Sequence, residues 1–138
     1  MNNNTVDLNE DPSAFQKHMG YRLIRFERDY AELDMPIAPF LMNRRGIPHG
    51  GAYSALLDTA MGFAGSFAGA GAEPNRALTL NLSVNFLAQS TGNTLIARAK
   101  RVGGGMKTYF AEATLHDDTG TLIATAMGVF KVQKPASV

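Results

Sequence analysis

The chain has no cysteine and no tryptophan, and only three histidines, at positions 18, 49 and 116. Without cysteine there is no disulfide framework, no thiolate nucleophile and no thiolate-bound metal. Three histidines spread along the chain do not make a ligand set, so no metal is expected. Charge is scarce too: Asp, Glu, Lys and Arg make up 18% of residues, with a formal net charge of +1. The cations are dispersed, with adjacent pairs only at Arg44-Arg45 and Lys100-Arg101. Nothing in that pattern points to nucleic acid or to an anionic membrane. Low charge does suit a protein that buries extra surface by self-association. The opening Met1-Asn2-Asn3-Asn4 has neither a basic nor an apolar region, so no secretion signal is expected and the cytoplasm is the expected location. The most apolar stretch, 52–68, contains Asp58, Gly62 and Gly65, which argues for a folded core rather than a membrane span.

What is present suffices for one domain. At 138 residues and 45% hydrophobic composition, the chain can build a single core. Its organising stretch is Asn43-Arg44-Arg45-Gly46-Ile47-Pro48-His49-Gly50-Gly51, followed by the apolar segment Ala52 to about Ala68. There Tyr53, Leu56, Leu57, Ala60, Met61, Ala64 and Phe67 recur at three- and four-residue intervals, predicting a helix buried on more than one face. Between Arg45 and Glu73 the only formally charged residue is Asp58, and a lone acid in a buried helix needs a partner.

Around this centre the pattern reads as helix, two strands, long helix, four strands. Residues 1 to 9 are polar and expected to be loose. Asp11-Pro12 reads as a cap with proline at the first helical position, opening a short helix that Gly20 ends. Tyr21 to Glu27 and Tyr30 to Met35 read as a hairpin turning at Arg28-Asp29, with Leu23, Leu33 and Met35 inward. From Leu78 to Phe86 apolar and polar residues alternate without exception, which places Thr79, Asn81, Ser83 and Asn85 on a polar, solvated face. Thr94 to Val102 is the next strand, with Leu95, Ala97 and Ala99 on one face, Ile96, Arg98 and Lys100 on the other, and a break at Gly103 to Gly105. Lys107 to His116 and Thr121 to Val132 flank the turn Asp117-Asp118-Thr119-Gly120, and His116 is expected to be exposed. A sheet wrapped on a central helix is the simplest α+β arrangement, with a second subunit covering the rest of the apolar helix.

The chemistry-bearing residues gather at that helix. Backbone N–H groups at Gly50 and Gly51 lie where a helix start leaves donors unpaired and favours negative charge, a candidate oxyanion site for a carbonyl oxygen. Asp58 follows Gly50 by eight residues, roughly 12 Å of helix at 1.5 Å per residue, too far for both to act on one acyl group. If they cooperate, the acid comes from a neighbouring subunit. The alternative is a structural acid bonded to Thr59, to Ser54 or across an interface. Asn43 offers an amide to a carbonyl or a water, or merely forms a turn. His49 is expected to bond to the backbone and fix the loop.

With Asn43, Gly46, His49-Gly50-Gly51 and Asp58 at these spacings, the chain resembles a hotdog-fold acyl-CoA thioesterase of the phenylacetic-acid-degradation (PaaI-like) group. The likeness extends over about residues 18 to 132, through Gly105 and the closing Gly120-Thr121-Leu122-Ile123-Ala124 with Gly128 and Phe130. It implies a hotdog fold: a curved antiparallel β-sheet wrapped around one long central α-helix. An arm and short helix at 1–17 and a tail at 134–138 flank the hotdog domain of 18–133. It implies dimers with a continuous sheet, paired into tetramers, and no cofactor. By position, Gly50 polarises the thioester carbonyl, Asn43 helps hold the carbonyl or the water, and Asp58 of the partner subunit acts as general base or nucleophile. Thr79 falls where related enzymes carry a Ser or Thr that helps place the attacking water. His49, Gly51, Tyr53, Leu57 and Met61 are the candidate substrate-binding residues, with Phe86 and the surroundings of Met106 as further wall. Arg44, Arg45 and Arg76 are candidates for the CoA phosphates. The expected reaction is hydrolysis of an acyl- or aryl-CoA thioester. Its rivals are a hydratase or dehydratase on the same fold and a non-catalytic binder of acyl thioesters or aromatic ligands.

Overall fold

The computed structural model describes residues 5–8 and 11–134. Helix α1 (Ala14–Met19) precedes strands β1 (Arg22–Glu27) and β2 (Tyr30–Pro36), and a 3-10 turn at Pro39–Leu41 leads to helix α2 (Gly50–Ala64). Strands β3 (Arg76–Phe86), β4 (Thr94–Gly104), β5 (Thr108–Asp117) and β6 (Leu122–Gln133) follow. All pair antiparallel in one six-stranded sheet ordered β1-β2-β4-β5-β6-β3, with β1 and β3 at the edges. α2 packs on the sheet, touching all six strands. This is the hotdog architecture: one substantial helix held against a curved, unclosed sheet.

The core lies between them. Leu56, Leu57, Ala60, Met61 and Ala64 of α2 meet Leu33 and Met35 of β2, Leu95 and Ala97 of β4, and Leu115 and Ile123 of the last hairpin, all fully enclosed. The β1–β2 hairpin turns at Arg28-Asp29, with Leu23, Leu33 and Met35 inward as the alternation requires.

Several local expectations are corrected. Ser13, rather than Asp11, caps α1: its hydroxyl accepts from the Gln16 N–H at 3.0 Å, and Pro12 falls before the cap. Gly20 does end that helix, in the left-handed region at φ 85°. Residues 5–8 are tied to the sheet, since the Val6 N–H donates to the Leu23 carbonyl at 2.8 Å and Val6 and Leu8 pack half-buried on the core. The rest of the expected loose arm, residues 1–4 and 9, and the tail beyond residue 134 lie outside the described residues.

α2 stops at Ala64, so Phe67 is not helical; it stacks edge-on against Phe26, 5.3 Å between ring centres. The stop comes from the sheet. A Cβ on Gly65 would lie 2.2 Å from the Tyr109 ring, and the Tyr109 hydroxyl sits between the Met61 and Gly62 carbonyls at 3.0 and 2.9 Å. The Ser66 hydroxyl donates to the Gly62 carbonyl as well, so side chains satisfy carbonyls that another turn would have used. β4 runs through Gly103 to Gly104, past the expected break, because a register shift between Arg101 and Gly103 lets the pairing with β5 continue.

β3 departs most from the expected pattern. Its register against β6 shifts between Thr79 and Asn81. One extra residue there exchanges the faces on either side of it. Leu82 and Val84 face the core, but Leu78 and Leu80 are 48% and 58% exposed on an unpaired edge. Thr79 is thereby turned toward α2.

Candidate active site

The loop before α2 is built by Asn43. Its side-chain oxygen accepts from the Arg45 N–H at 2.8 Å, its backbone N–H donates to the Ile47 carbonyl at 2.8 Å, and Met42 bridges Pro48. His49 caps the helix: its Nδ1 accepts from the Gly51 N–H at 2.8 Å, the loop-fixing role expected of it. That bond occupies the Gly51 donor. Gly50, the first helical residue, has no intrahelical acceptor for its own N–H and lines a cavity of about 340 Å3 with Asn43, Tyr53, Phe86 and residues 87–89. A Cβ at position 50 would meet the Phe86 ring at 3.3 Å, so even one methyl group would crowd this space.

Two turns further along α2, Asp58 is half-buried rather than enclosed. Its partner is Thr79, whose hydroxyl donates to Oδ1 at 2.6 Å, a short charge-assisted bond. The structural alternatives read from the sequence do not hold within the chain. The Ser54 hydroxyl donates to the Gly50 carbonyl at 2.9 Å and that of Thr59 to the Ala55 carbonyl at 2.8 Å. No hydrogen bond to Asp58 Oδ2 occurs among the described residues. Asp58 and Thr79 line a second cavity, about 450 Å3, with Phe63, Ser66, Arg76 and Phe130.

The candidates thus fall into two groups on one helix. Asn43, Gly50 and Tyr53 share the cavity at its start; Asp58 and Thr79 share the cavity at its third turn. Eight residues of helix, roughly 12 Å, separate Gly50 from Asp58. Leu57 and Met61 join neither: both are 0% exposed and face the sheet. A helix apolar all round does not say which of its sides the sheet takes, and the sheet takes theirs. Phe86, 54% exposed and tilted against Tyr53 with ring centres 6.3 Å apart, lines the Gly50 cavity. Met106 lies exposed at the β4–β5 turn, and Arg44 and Arg45 are exposed in the loop, while Arg76 lines the Asp58 cavity.

Two residues escaped the sequence reading. Phe63 lines the Asp58 cavity, a position that its place in an apolar helix gave no reason to single out. Asp117, expected only to form a turn, is 2% exposed and accepts six hydrogen bonds. Burial pushes its carboxyl up, but the bonds from Thr119, Ser90 and Thr121 outweigh burial and hold it well below the usual carboxylate range. His116 is half-buried, not exposed, and its Nδ1 has no partner among the described residues. Among those residues no three His, Asp or Glu side chains converge into a metal-binding group, and no helix is long and apolar enough to cross a membrane.

A match to the thioesterase superfamily spans residues 45–124, more than half of the chain and including Gly50, Asp58 and Thr79. The chain belongs to that superfamily. Among solved structures it is similar to a thioesterase family protein of Silicibacter pomeroyi, at 27% identity and a TM-score of 0.77, covering 89% of this chain and 91% of that one. A conserved protein of Pseudomonas aeruginosa matches at 26% identity and a TM-score of 0.77, covering 88% and 94%. A Bacillus halodurans protein solved with CoA matches at 30% identity and a TM-score of 0.65, covering 73% of this chain and 66% of that one.

Proposed function

We propose that the protein hydrolyses an acyl- or aryl-CoA thioester to the free acid and CoA, as a PaaI-like thioesterase whose site is shared between two subunits. The observation that carries this reading is the Asp58–Thr79 pair facing its own cavity, about half the length of α2 away from the Gly50 cavity on the same chain. Superfamily membership and the similarity to a protein solved with CoA support the substrate class.

In this reading β3, an eleven-residue edge strand with Leu78 and Leu80 exposed, pairs with its copy to continue the sheet. Two-fold symmetry then runs the two α2 helices in opposite directions, bringing the start of one toward the middle of the other. The thioester carbonyl takes the Gly50 N–H, with Asn43 beside it. In the partner subunit Thr79 holds one oxygen of Asp58, leaving the other to accept a proton from water. Water oxygen bonds to the carbonyl carbon, and the negative charge that develops on the carbonyl oxygen is met by the Gly50 donor at the positive end of the helix. Collapse of this intermediate breaks the carbon–sulfur bond. CoA leaves as a thiolate that takes up the proton, and the free acid departs. In the alternative course the Asp58 carboxylate attacks the carbonyl itself, forming an anhydride that water then opens. No cofactor takes part.

The same reading makes residues 18–133 the catalytic domain, the dimer the smallest active unit, a tetramer of paired dimers the expected assembly, and the cytoplasm its location. Acyl-CoAs from acetyl through hexanoyl to phenylacetyl and longer chains are the test, with release of free thiol as readout. Thiol release from at least one supports hydrolysis. Release from none, by a protein that binds one tightly, replaces this reading with a ligand-binding role.

A further inference from the structure

The loop from Leu87 to Asn93 supplies one wall of the Gly50 cavity through Leu87, Ala88 and Gln89. Burial does not fix it, since Leu87 is itself exposed. Hydrogen bonds do, at three points. The Leu87 and Ala88 N–H groups donate to the Ile123 carbonyl at 2.8 and 3.2 Å, and at the far end the Asn93 N–H donates to Asp118 Oδ1 at 2.8 Å. The middle rests on Asp117. Its Oδ2 accepts from the Ser90 hydroxyl at 2.9 Å and from the Thr91 and Gly92 N–H groups, each at 3.1 Å. Its Oδ1 accepts from the Thr119 N–H, the Thr119 hydroxyl and the Thr121 N–H at 3.0, 2.5 and 3.2 Å. One oxygen holds the loop and the other holds its own turn. The clamp also reaches α2, because the Ser90 N–H donates to the Tyr53 hydroxyl at 3.3 Å, and Tyr53 lines the same cavity.

We propose that Asp117 is a positioning residue for the Gly50 half of the site: it fixes the 87–93 loop so that the cavity wall stands ready for the acyl-thioester. The inference rests on the thioesterase reading for what the cavity binds, and on the hydrogen-bond geometry alone for the coupling. A carboxylate suits the task because it has only acceptors, and six donors converge on it. An amide in its place turns an NH2 group toward donors on one side, leaving the Ser90–Gly92 donors or the turn donors unpaired. The approach is close as well: a Cβ on Gly92 would lie 2.0 Å from Asp118 Oδ1, so another residue at 92 has to displace the carboxylate that holds the loop's far end.

Asp117→Asn, Ser90→Ala and Ser90→Thr test this in the full-length protein, with circular dichroism as the check on folding. Amide hydrogen exchange across 87–93 is expected to speed by about tenfold or more in Asp117→Asn, less in Ser90→Ala, and to stay at the wild-type rate in Ser90→Thr, which keeps the hydroxyl. With the best acyl-CoA, KM is expected to rise about tenfold in Asp117→Asn while kcat stays within about threefold, because the Asp58–Thr79 pair is untouched. A purely structural role lowers the melting temperature and leaves KM unchanged. Where Asp117→Asn does not fold, Ser90→Ala carries the same test at smaller amplitude. Wild-type exchange in a folded variant overturns the coupling whatever the activity. Faster exchange with unchanged KM overturns the positioning role. A wild-type protein that hydrolyses no acyl-CoA overturns the thioesterase reading, and the exchange measurement still decides the clamp.

Discussion

Removing the Thr79 hydroxyl tests the chemistry at its most specific contact. In the structure that hydroxyl is the one donor to Asp58 among the described residues, at 2.6 Å, and it reaches the carboxylate because β3 bulges between Thr79 and Asn81. Thr79→Ala leaves the acid in place but no longer aimed, since water can replace the lost bond at a half-exposed site. Misaiming a general base without deleting it is expected to lower kcat about tenfold with KM within about twofold. Asp58→Ala removes the base and is expected to lower kcat by about 10²–10⁴-fold. Thr79→Ser keeps a hydroxyl at the same reach and should recover most of the loss. Initial rates of thiol release with the best acyl-CoA give all three numbers, and thermal melts confirm that each variant folds. The reasoning is refuted if Thr79→Ala matches wild type, or if Thr79→Ser is as poor as Thr79→Ala.

Three further outcomes follow from other parts of the molecule. Light scattering at micromolar concentration should show a dimer or larger, and Leu80→Lys on the exposed β3 edge should shift it toward monomer and abolish activity; an active, stable monomer would contradict the shared site. Tyr109→Phe leaves the Met61 and Gly62 carbonyls without the hydroxyl that ends α2, and should cost about 1–3 kcal/mol in denaturant unfolding, with an unchanged melt as the contrary result. Asp117 titrates lower folded than unfolded, so its contribution is present above the unfolded carboxylate value and lost as pH falls toward the depressed one. The melting temperature of wild type should therefore fall more steeply than that of Asp117→Asn as pH drops below about 4; parallel curves would contradict the clamp.

How legible the molecule was depended on how local each signal is. The helix start at Gly50, the β1–β2 hairpin and the division of β4 into two faces follow from neighbours within a few positions, and the sequence shows them. The end of α2 does not, because what stops it is Tyr109, some forty residues later. Thr79 is exposed, as the alternation expects, but its bond to Asp58 was hidden because strict alternation was projected through a strand that the fold bulges by one residue. Leu57 and Met61 looked like pocket wall because an all-round apolar helix carries no mark of which side the sheet will occupy. Asp117 looked like a turn residue because its six donors come from two segments far apart in sequence. The division of Gly50 from Asp58 needed only the rise of a helix, which is why it could be reasoned without coordinates.

That division is also the claim most directly open to measurement. Gly50→Pro disables the Gly50 half twice over, removing its N–H and setting ring carbons against Phe86, while proline still suits the first helical position after His49, extended at φ −65° and ψ 140°. Asp58→Asn removes the acid. Each homodimer should be nearly inactive. Co-refolding the two in equal amounts pairs chains at random, so about half the dimers are mixed, and each mixed dimer holds one site with both wild-type groups. Thiol release should then return to about one quarter of the wild-type rate. A mixture that stays as inactive as its parents, with mixed dimers shown to be present by mass spectrometry, would mean that Gly50 and Asp58 serve the same chain, and the shared site would be wrong.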